Sequence, residues 1–264
     1  EEFLLNFIDD AHPGDRRLRK GRVQEFRGVV RDYMVRTRRL DAKLPFPTRK
    51  VQNVELPLPG PEATLFEYVG SVINQLEPLE QVSLAKALLS SPQALALQLE
   101  NMSQSRPRFE GAAKKIRAFV DSIKDTAKLR ALGSIVDELK TRGGDDWRLL
   151  IFTERKETQK AIGEWLMRRS VAVGYIRGGS AVANNRAVQG FQADPPTINC
   201  IVSTDAGSEG VNLQACSYLV NFDLPWNPMI VEQRIGRIQR LASKYESVVV
   251  QNLVLQHPAD AHVV

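Results

Sequence analysis

From Asp146 onward the chain alternates short apolar runs with amphipathic stretches, and that alternation leaves few folds open to it. WRLLIFT, VAVGYIR, TINCIVST, SYLVNF and ESVVVQNLVL read as short buried strands, each with an apolar centre flanked by polar or turn residues. Between them the apolar spacing predicts helices over about 155 to 169, 180 to 191 and 228 to 240. Alternating β and α units imply an α/β fold, a parallel sheet with helices on both faces. Ligands of such sheets bind beyond the carboxyl ends of the strands. Polar and Gly-rich segments fall there: Thr153 after LLIF, Arg177, Gly178, Gly179 and Ser180 after VGYI, Ser203 and Thr204 after CIV, and Asp223 to Pro228 after LVNF. Each alone is also what a structural turn looks like; together they line one edge.

The last predicted helix has two faces. Val231, Ile235 and Ile238 form an apolar stripe, and Gln233, Arg237 and Arg240 repeat the same spacing on roughly the opposite side. A guanidinium stays protonated and binds phosphate oxygens through a planar fork, so a pair of them suits the charge that develops on a transferring phosphoryl group. A solvated basic helix face is the competing account.

The surrounding sequence tips the balance. STDAGSEGVNL, then DLPWNP, then EQRIGRIQR, spanning Ile201 to Leu241, resembles the final motifs of superfamily-two helicases, and most closely the Swi/Snf-type double-stranded DNA translocases. The resemblance leans to bacterial members similar to the RNA-polymerase-associated ATPases, and weaker likeness extends over nearly the whole chain. Leu241, Ala242 and Ser243 depart from the hydrophobic-Gly-Gln ending that many relatives carry.

What the resemblance implies is a RecA-like lobe whose strand ends divide the labour. Arg237 and Arg240 would be arginine fingers. Gln233, Gly207, Gly210 and Asn212 would approach the nucleotide, with Gly favoured where backbone must come close to a ligand. Thr153, Arg177, Gly179, Ser180, Ser203 and Thr204 would lie along a DNA strand, gripping phosphates without reading sequence. Trp226 and Asn227 match a DNA-surface element that couples contact to ATP turnover; a core aromatic under the helix is the alternative for Trp226.

The remainder of the chain reads as lead-in. Residues 15 to 50 hold thirteen Lys or Arg against four Asp or Glu, a balance of +9 that leaves −4 for the rest of a chain of net charge +5. Such a patch attracts a phosphate backbone, or is a solvated face beside an acidic neighbour. Tyr33 to Arg49 resembles the segment that closes the first motor lobe, and consecutive X-Pro steps at Leu44, Pro45, Phe46 and Pro47 mark a boundary. From Pro61 to Lys140 the spacing is helical, with Pro92 suited to a helix start. IVDELK imitates a magnesium-holding Asp-Glu box, but Leu132, Ile135, Val136 and Leu139 follow a helical period that puts Asp137 and Glu138 on a solvated flank. The expected organisation is therefore a basic, helical tail of a first lobe over 1–50, a helical lead-in over 51–145 and a RecA-like lobe over 146–264.

Composition adds limits. No apolar run reaches membrane-spanning length, and the acidic opening EEFLLNFIDD lacks the basic flank of a signal peptide, so a cytoplasmic, nucleoid-associated protein cut mid-structure is expected. Cys200 and Cys216 read as structural thiols, and His12, His257 and His262 lack ligand-like partners, so no metal site is expected. No G-x-x-x-x-G-K-[ST] loop occurs in the sequence. ATP and Mg2+ are accordingly expected to be held mainly by an N-terminal RecA-like lobe of the same protein, and residues 1 to 264 alone to be inactive. Expected partners are double-stranded DNA and that lobe, within a transcription, restriction or phage-defence complex. A non-catalytic nucleic-acid-binding or scaffolding module derived from such a lobe is the alternative. An RNA helicase lobe is disfavoured by DLPWNP.

Overall fold

The computed structural model describes residue 7 and residues 18–19, 21–33, 46–123, 125–207, 211–241 and 243–257. Gly210, and residues 15–17, 20 and 34–45 of the basic stretch from 15 to 50, lie outside the described residues. The chain forms two compact units, Glu1–Pro45 and Phe46–Val264. In the first, helix α1 (Val23–Tyr33) sets Phe26 edge-to-face against Phe7, with ring centroids 5.6 Å apart, and Arg22 pairs with Glu25 across one turn.

The second unit is built on a six-stranded sheet. Its strands are β1 (Thr48–Leu56), β2 (Leu149–Thr153), β3 (Val173–Ile176), β4 (Cys200–Thr204), β5 (Tyr218–Asn221) and β6 (Ser247–Leu255), in the order β1-β6-β5-β2-β4-β3 with every pair parallel. All five strands read from the sequence beyond Asp146 are present. Every residue of β2, β4 and β5 is buried, which requires cover on both faces and explains why these strands are continuous apolar runs. Helices α6 (Ala127–Gly143), α7 (Lys156–Arg168), α8 (Ala181–Gln192) and α9 (Pro228–Ile235) supply it, and Leu132, Val136, Ile162, Leu166, Phe191 and Ile235 join the strands in one core.

β1 was not read as a strand. It is an edge strand whose residues from Thr48 to Asn53 are all exposed, so it carries no apolar run, and its place is fixed by a nine-residue ladder against β6. The region expected to be helical from residue 51 thus opens with sheet.

Helices follow as spaced: α2 (Gly60–Ile73), α3 (Pro78–Ser90), α4 (Pro92–Ser105) and α5 (Glu110–Ser122). They enclose a second core of Leu65, Val69, Leu84, Leu95, Leu99 and Ile116, with Leu255 at its border. Pro92 opens α4 behind Ser91, whose hydroxyl accepts the Ala94 N–H at 3.1 Å, an N-cap worth about 1 kcal/mol. Glu62 is buried and accepts the Ala127 N–H at the start of α6; burial raises its pKa against the opposing pull of that hydrogen bond. Asp137 and Glu138 lie on the exposed flank of α6, paired with Arg169 and Arg142.

One helix is shorter than its spacing implies. α9 stops at Ile235, and Gly236 begins a tightened turn in which the N–H groups of Arg237 and Ile238 bond three residues back, at 3.0 and 3.1 Å. Glycine weakens a helix interior, and the ladder tightens there into 3₁₀-type bonds. Arg237 and Arg240 therefore sit on this turn and not on the helix. Val231, Ile235 and Ile238 still pack into the main core, because the turn keeps a right-handed course.

Both cysteines are fully buried thiols. Burial pushes Cys216 up to about 12 and Cys200 well above its usual value, so neither is a nucleophile at neutral pH. Among the described residues no helix is long and apolar enough to cross a membrane.

Candidate functional site

The carboxyl edge of the sheet buries a connected set of polar groups. It lies at the β2/β5 crevice, where chain connections leave in opposite directions along the sheet, the place where open α/β sheets gather functional groups. Asp223, just beyond β5, is almost fully buried. Its carboxylate accepts the Thr153 hydroxyl at 2.6 Å, the Ser90 hydroxyl at 2.6 Å and the Glu154 N–H at 2.8 Å. The Thr158 hydroxyl lies 2.7 Å from both Ser90 and Ser91. Since the one Ser90 proton goes to the carboxylate, Ser90 accepts from Thr158, and Thr158 in turn accepts from Ser91. The row ties the α3/α4 junction to the strand ends.

Arg234 completes the set from α9. It is 1% exposed, donating from Nε and Nη2 to the two Asp205 oxygens at 2.6 and 2.8 Å, and from Nη1 to Asn221 Oδ1 at 3.0 Å and the Asp223 carbonyl at 2.8 Å. Its guanidinium carbon lies 5.3 Å from the Phe152 ring centroid. A bidentate, stacked arginine with bonds from all three of its nitrogens is the form in which a buried cation is tolerated. The sequence reading did not single out Arg234. Its signal was its spacing: it lies three residues after Val231 and four before Ile238, on the apolar face, where a charge must have a buried partner. Glu154, beside Asp223, has a raised pKa, first through burial and then through the Asp223 charge.

The predicted site residues occupy this edge in different ways. Thr153 and Ser203 are wholly buried, their hydroxyls given to Asp223 and to the Thr204 carbonyl, and Thr204 is buried with them. These side chains brace the edge in this structure. Arg177 is half-buried; its Nε donates to Gln159 Oε1 at 2.6 Å, its guanidinium lies over the Tyr175 ring at 4.7 Å, and Asn184 bonds both its backbone N–H and C=O. Gly179, exposed with a φ of +76°, and Ser180, half-buried at the start of α8, follow it. Asn227 is exposed and caps α9 by accepting the Met229 N–H at 3.0 Å. Trp226 is 47% exposed, with Lys86 Nζ of α3 at 5.2 Å from a ring centroid, and is not the packed core aromatic that was its alternative. Asn212 and Gln233 are exposed, whereas Arg237 and Arg240 are part-exposed, Arg240 donating from Nε to the Gly236 carbonyl at 3.1 Å.

Gly207 lies close against the turn after β3. A Cβ there would meet the backbone N, Cα and C of Arg177 at 2.6 to 2.7 Å, so the turns after β3 and β4 are pressed together main chain to main chain. Gly207→Ala is expected to lower unfolding stability by about 1 to 3 kcal/mol, because backbone and not a mobile side-chain end must yield. The urea midpoint measures it; an unchanged midpoint would mean that the two turns are free to part.

Residues 127–242 match the model of the helicase conserved C-terminal domain. Over 248 residues the chain is 29% identical to an uncharacterized ATP-dependent helicase, YqhH, of Bacillus subtilis (strain 168), covering 91% of this chain and 43% of that protein. Over 203 residues it is 27% identical to the RNA polymerase-associated protein RapA of Pectobacterium atrosepticum, covering 76% of this chain and 18% of RapA. The chain thus spans less than half the length of these relatives. Among solved structures, the C-terminal part of the Fun30 ATPase domain superposes with a TM-score of 0.60 at 14% identity, over 83% of this chain and 89% of that one.

Proposed function

We propose that the chain is the second, RecA-like lobe of a Swi/Snf-type ATPase and acts in an ATP-driven double-stranded DNA translocase, a reading supported by its match to the helicase conserved C-terminal domain and its likeness to YqhH and RapA. The observation that supports this best is the arginine turn: two part-exposed arginines follow a helix whose buried Arg234 is locked to Asp205 just beyond β4. Arg237 and Arg240 would supply positive charge to the γ-phosphate of ATP bound by an N-terminal lobe of the same protein. Gln233, Gly207, Gly210 and Asn212 complete the nucleotide side.

The residues fit one end of a nucleotide only. Two guanidiniums suit developing phosphoryl charge, whereas Asp137 and Glu138 lie on a helix flank and do not form a magnesium box. Mg2+ would be held mainly by the other lobe. ATP and its metal supply the driving reaction; this chain supplies charge stabilisation on closure and a grip on the track.

The track runs over the turns after β3 and β5. Arg177, Gly179, Ser180, Trp226 and Asn227 meet the DNA backbone, with Thr153, Ser203 and Thr204 beneath them. Phosphate-directed groups position DNA without reading it. The RNA-polymerase association in the RapA name supports a transcription complex as the setting, ahead of restriction or phage defence.

For the full-length protein, duplexes of unrelated sequence are expected to bind alike and to lose affinity steeply with salt, and Arg177→Ala to lower the log–log salt slope by about one phosphate contact. Titrations at several salt concentrations measure this. Strong discrimination among duplexes, or affinity indifferent to salt, would favour a binding module without a motor.

A further inference from the structure

We propose that residues 47–53, Pro47 and the first six residues of edge strand β1, form a positioning strap for the arginine turn. One side-chain bond reaches the turn itself, and two further sets reach the end of α9 that carries it. Gln239 Nε2, between Arg237 and Arg240, donates to the Pro47 carbonyl at 2.8 Å. Arg49 Nη1 donates to both Glu232 oxygens at 2.8 and 2.9 Å. The third is a row of amides: Arg234 Nη1 donates to Asn221 Oδ1 at 3.0 Å, Asn221 Nδ2 to Asn252 Oδ1 at 2.8 Å, and Asn252 Nδ2 to Asn53 Oδ1 at 2.8 Å. Asn53, Asn252 and Asn221 are register partners on the adjacent strands β1, β6 and β5, so the row crosses the sheet without a step.

The contacts fall on both sides of Gly236: Glu232 and Arg234 before it, Gln239 after it. A turn held by bonds three residues back, beginning with glycine, is the weakest part of this helical segment and gains most from outside tethers. β1 does not need the side-chain bonds for its own pairing, which its nine-residue backbone ladder already supplies. Arg49, Asn53 and Gln239 are thus positioning residues for Arg237 and Arg240, and a displacement of the chain at Pro47 is delivered to the turn. For its effect on turnover the inference rests on the arginine-finger reading; for its effect on the turn it does not.

The test uses the full-length protein with Gln239→Ala, Arg49→Glu, Glu232→Arg, the combined charge swap, and Arg240→Ala as reference. Amide exchange at residues 236–240 and the kcat and KM of DNA-stimulated ATP hydrolysis are measured. Gln239→Ala and Arg49→Glu are expected to raise exchange about tenfold and lower kcat about three- to tenfold, with KM within about twofold, since small misplacements of a reacting group reduce rate. The swap restores both quantities. Unchanged exchange in both single variants overturns the strap. So does raised exchange with unchanged kcat where Arg240→Ala does lower it, and so does a loss that the swap fails to restore. If Arg240→Ala leaves turnover intact, the finger reading fails instead, and exchange at 236–240 alone decides the strap.

Discussion

Arg240→Ala and Arg237→Ala, made singly in the full-length protein, are each expected to lower DNA-stimulated ATP turnover about a thousandfold or more while leaving DNA affinity within about twofold, the scale on which arginine fingers act. A thousandfold is about 4 kcal/mol of transition-state stabilisation, beyond what any exposed ion pair contributes to folding. The loss falls on kcat because the guanidinium meets charge that develops only as the phosphoryl group transfers. Lysine at either position should rescue poorly, since an ammonium lacks the planar fork. Steady-state kinetics beside equilibrium DNA binding separates the two effects. Turnover that survives in both variants would remove the motor assignment and leave a binding module.

The parallel core was legible in the sequence, because strands buried on both faces must be continuous apolar runs, and LLIFT, CIVST and YLVN are such runs, while VGYI and the first half of SVVVQNLVL alternate buried and half-buried residues. β1 was not, because an exposed edge strand is specified by its ladder partner and not by its own pattern. The spacing of Val231, Ile235 and Ile238 identified the face that packs, yet it gave no sign that Gly236 ends α9 before Arg237. Motif likeness marked Thr153 and Ser203 as surface groups. A motif carries residue type and order but not which hydroxyl a buried carboxylate will claim, and Asp223 claims Thr153. Ser90 and Ser91, far away in sequence, carried no functional signal, and only tertiary packing brings Ser90 to that carboxylate directly and Ser91 to it through Thr158 and Ser90.

The second large effect concerns the fold beneath the arginines. Arg234→Ala is expected to destabilise the Phe46–Val264 unit by about 3 kcal/mol or more, the range for breaking a buried ion pair from one side. The substitution strips the Asp205 carboxylate of both its bidentate bonds, removes the donor from Asn221 Oδ1 and the Asp223 carbonyl, and empties the space over Phe152. Asp205 is 29% exposed, so water can relieve part of its loss; Asn221 and Asp223 are buried and have no such relief. This places the expectation at the lower end of the range. A pair buried on the arginine side is little screened, so the loss should persist at high salt, unlike the modest, salt-sensitive cost expected for the exposed Lys114–Glu110 pair. Arg234→Lys should recover little, because one ammonium cannot reach Asp205, Asn221 and the Asp223 carbonyl together. Urea unfolding at low and high salt measures the difference. A loss below about 1 kcal/mol, or one that vanishes with salt, would mean that the strand ends and α9 are held by the apolar core alone, and that the arginine turn does not depend on Arg234 for its footing.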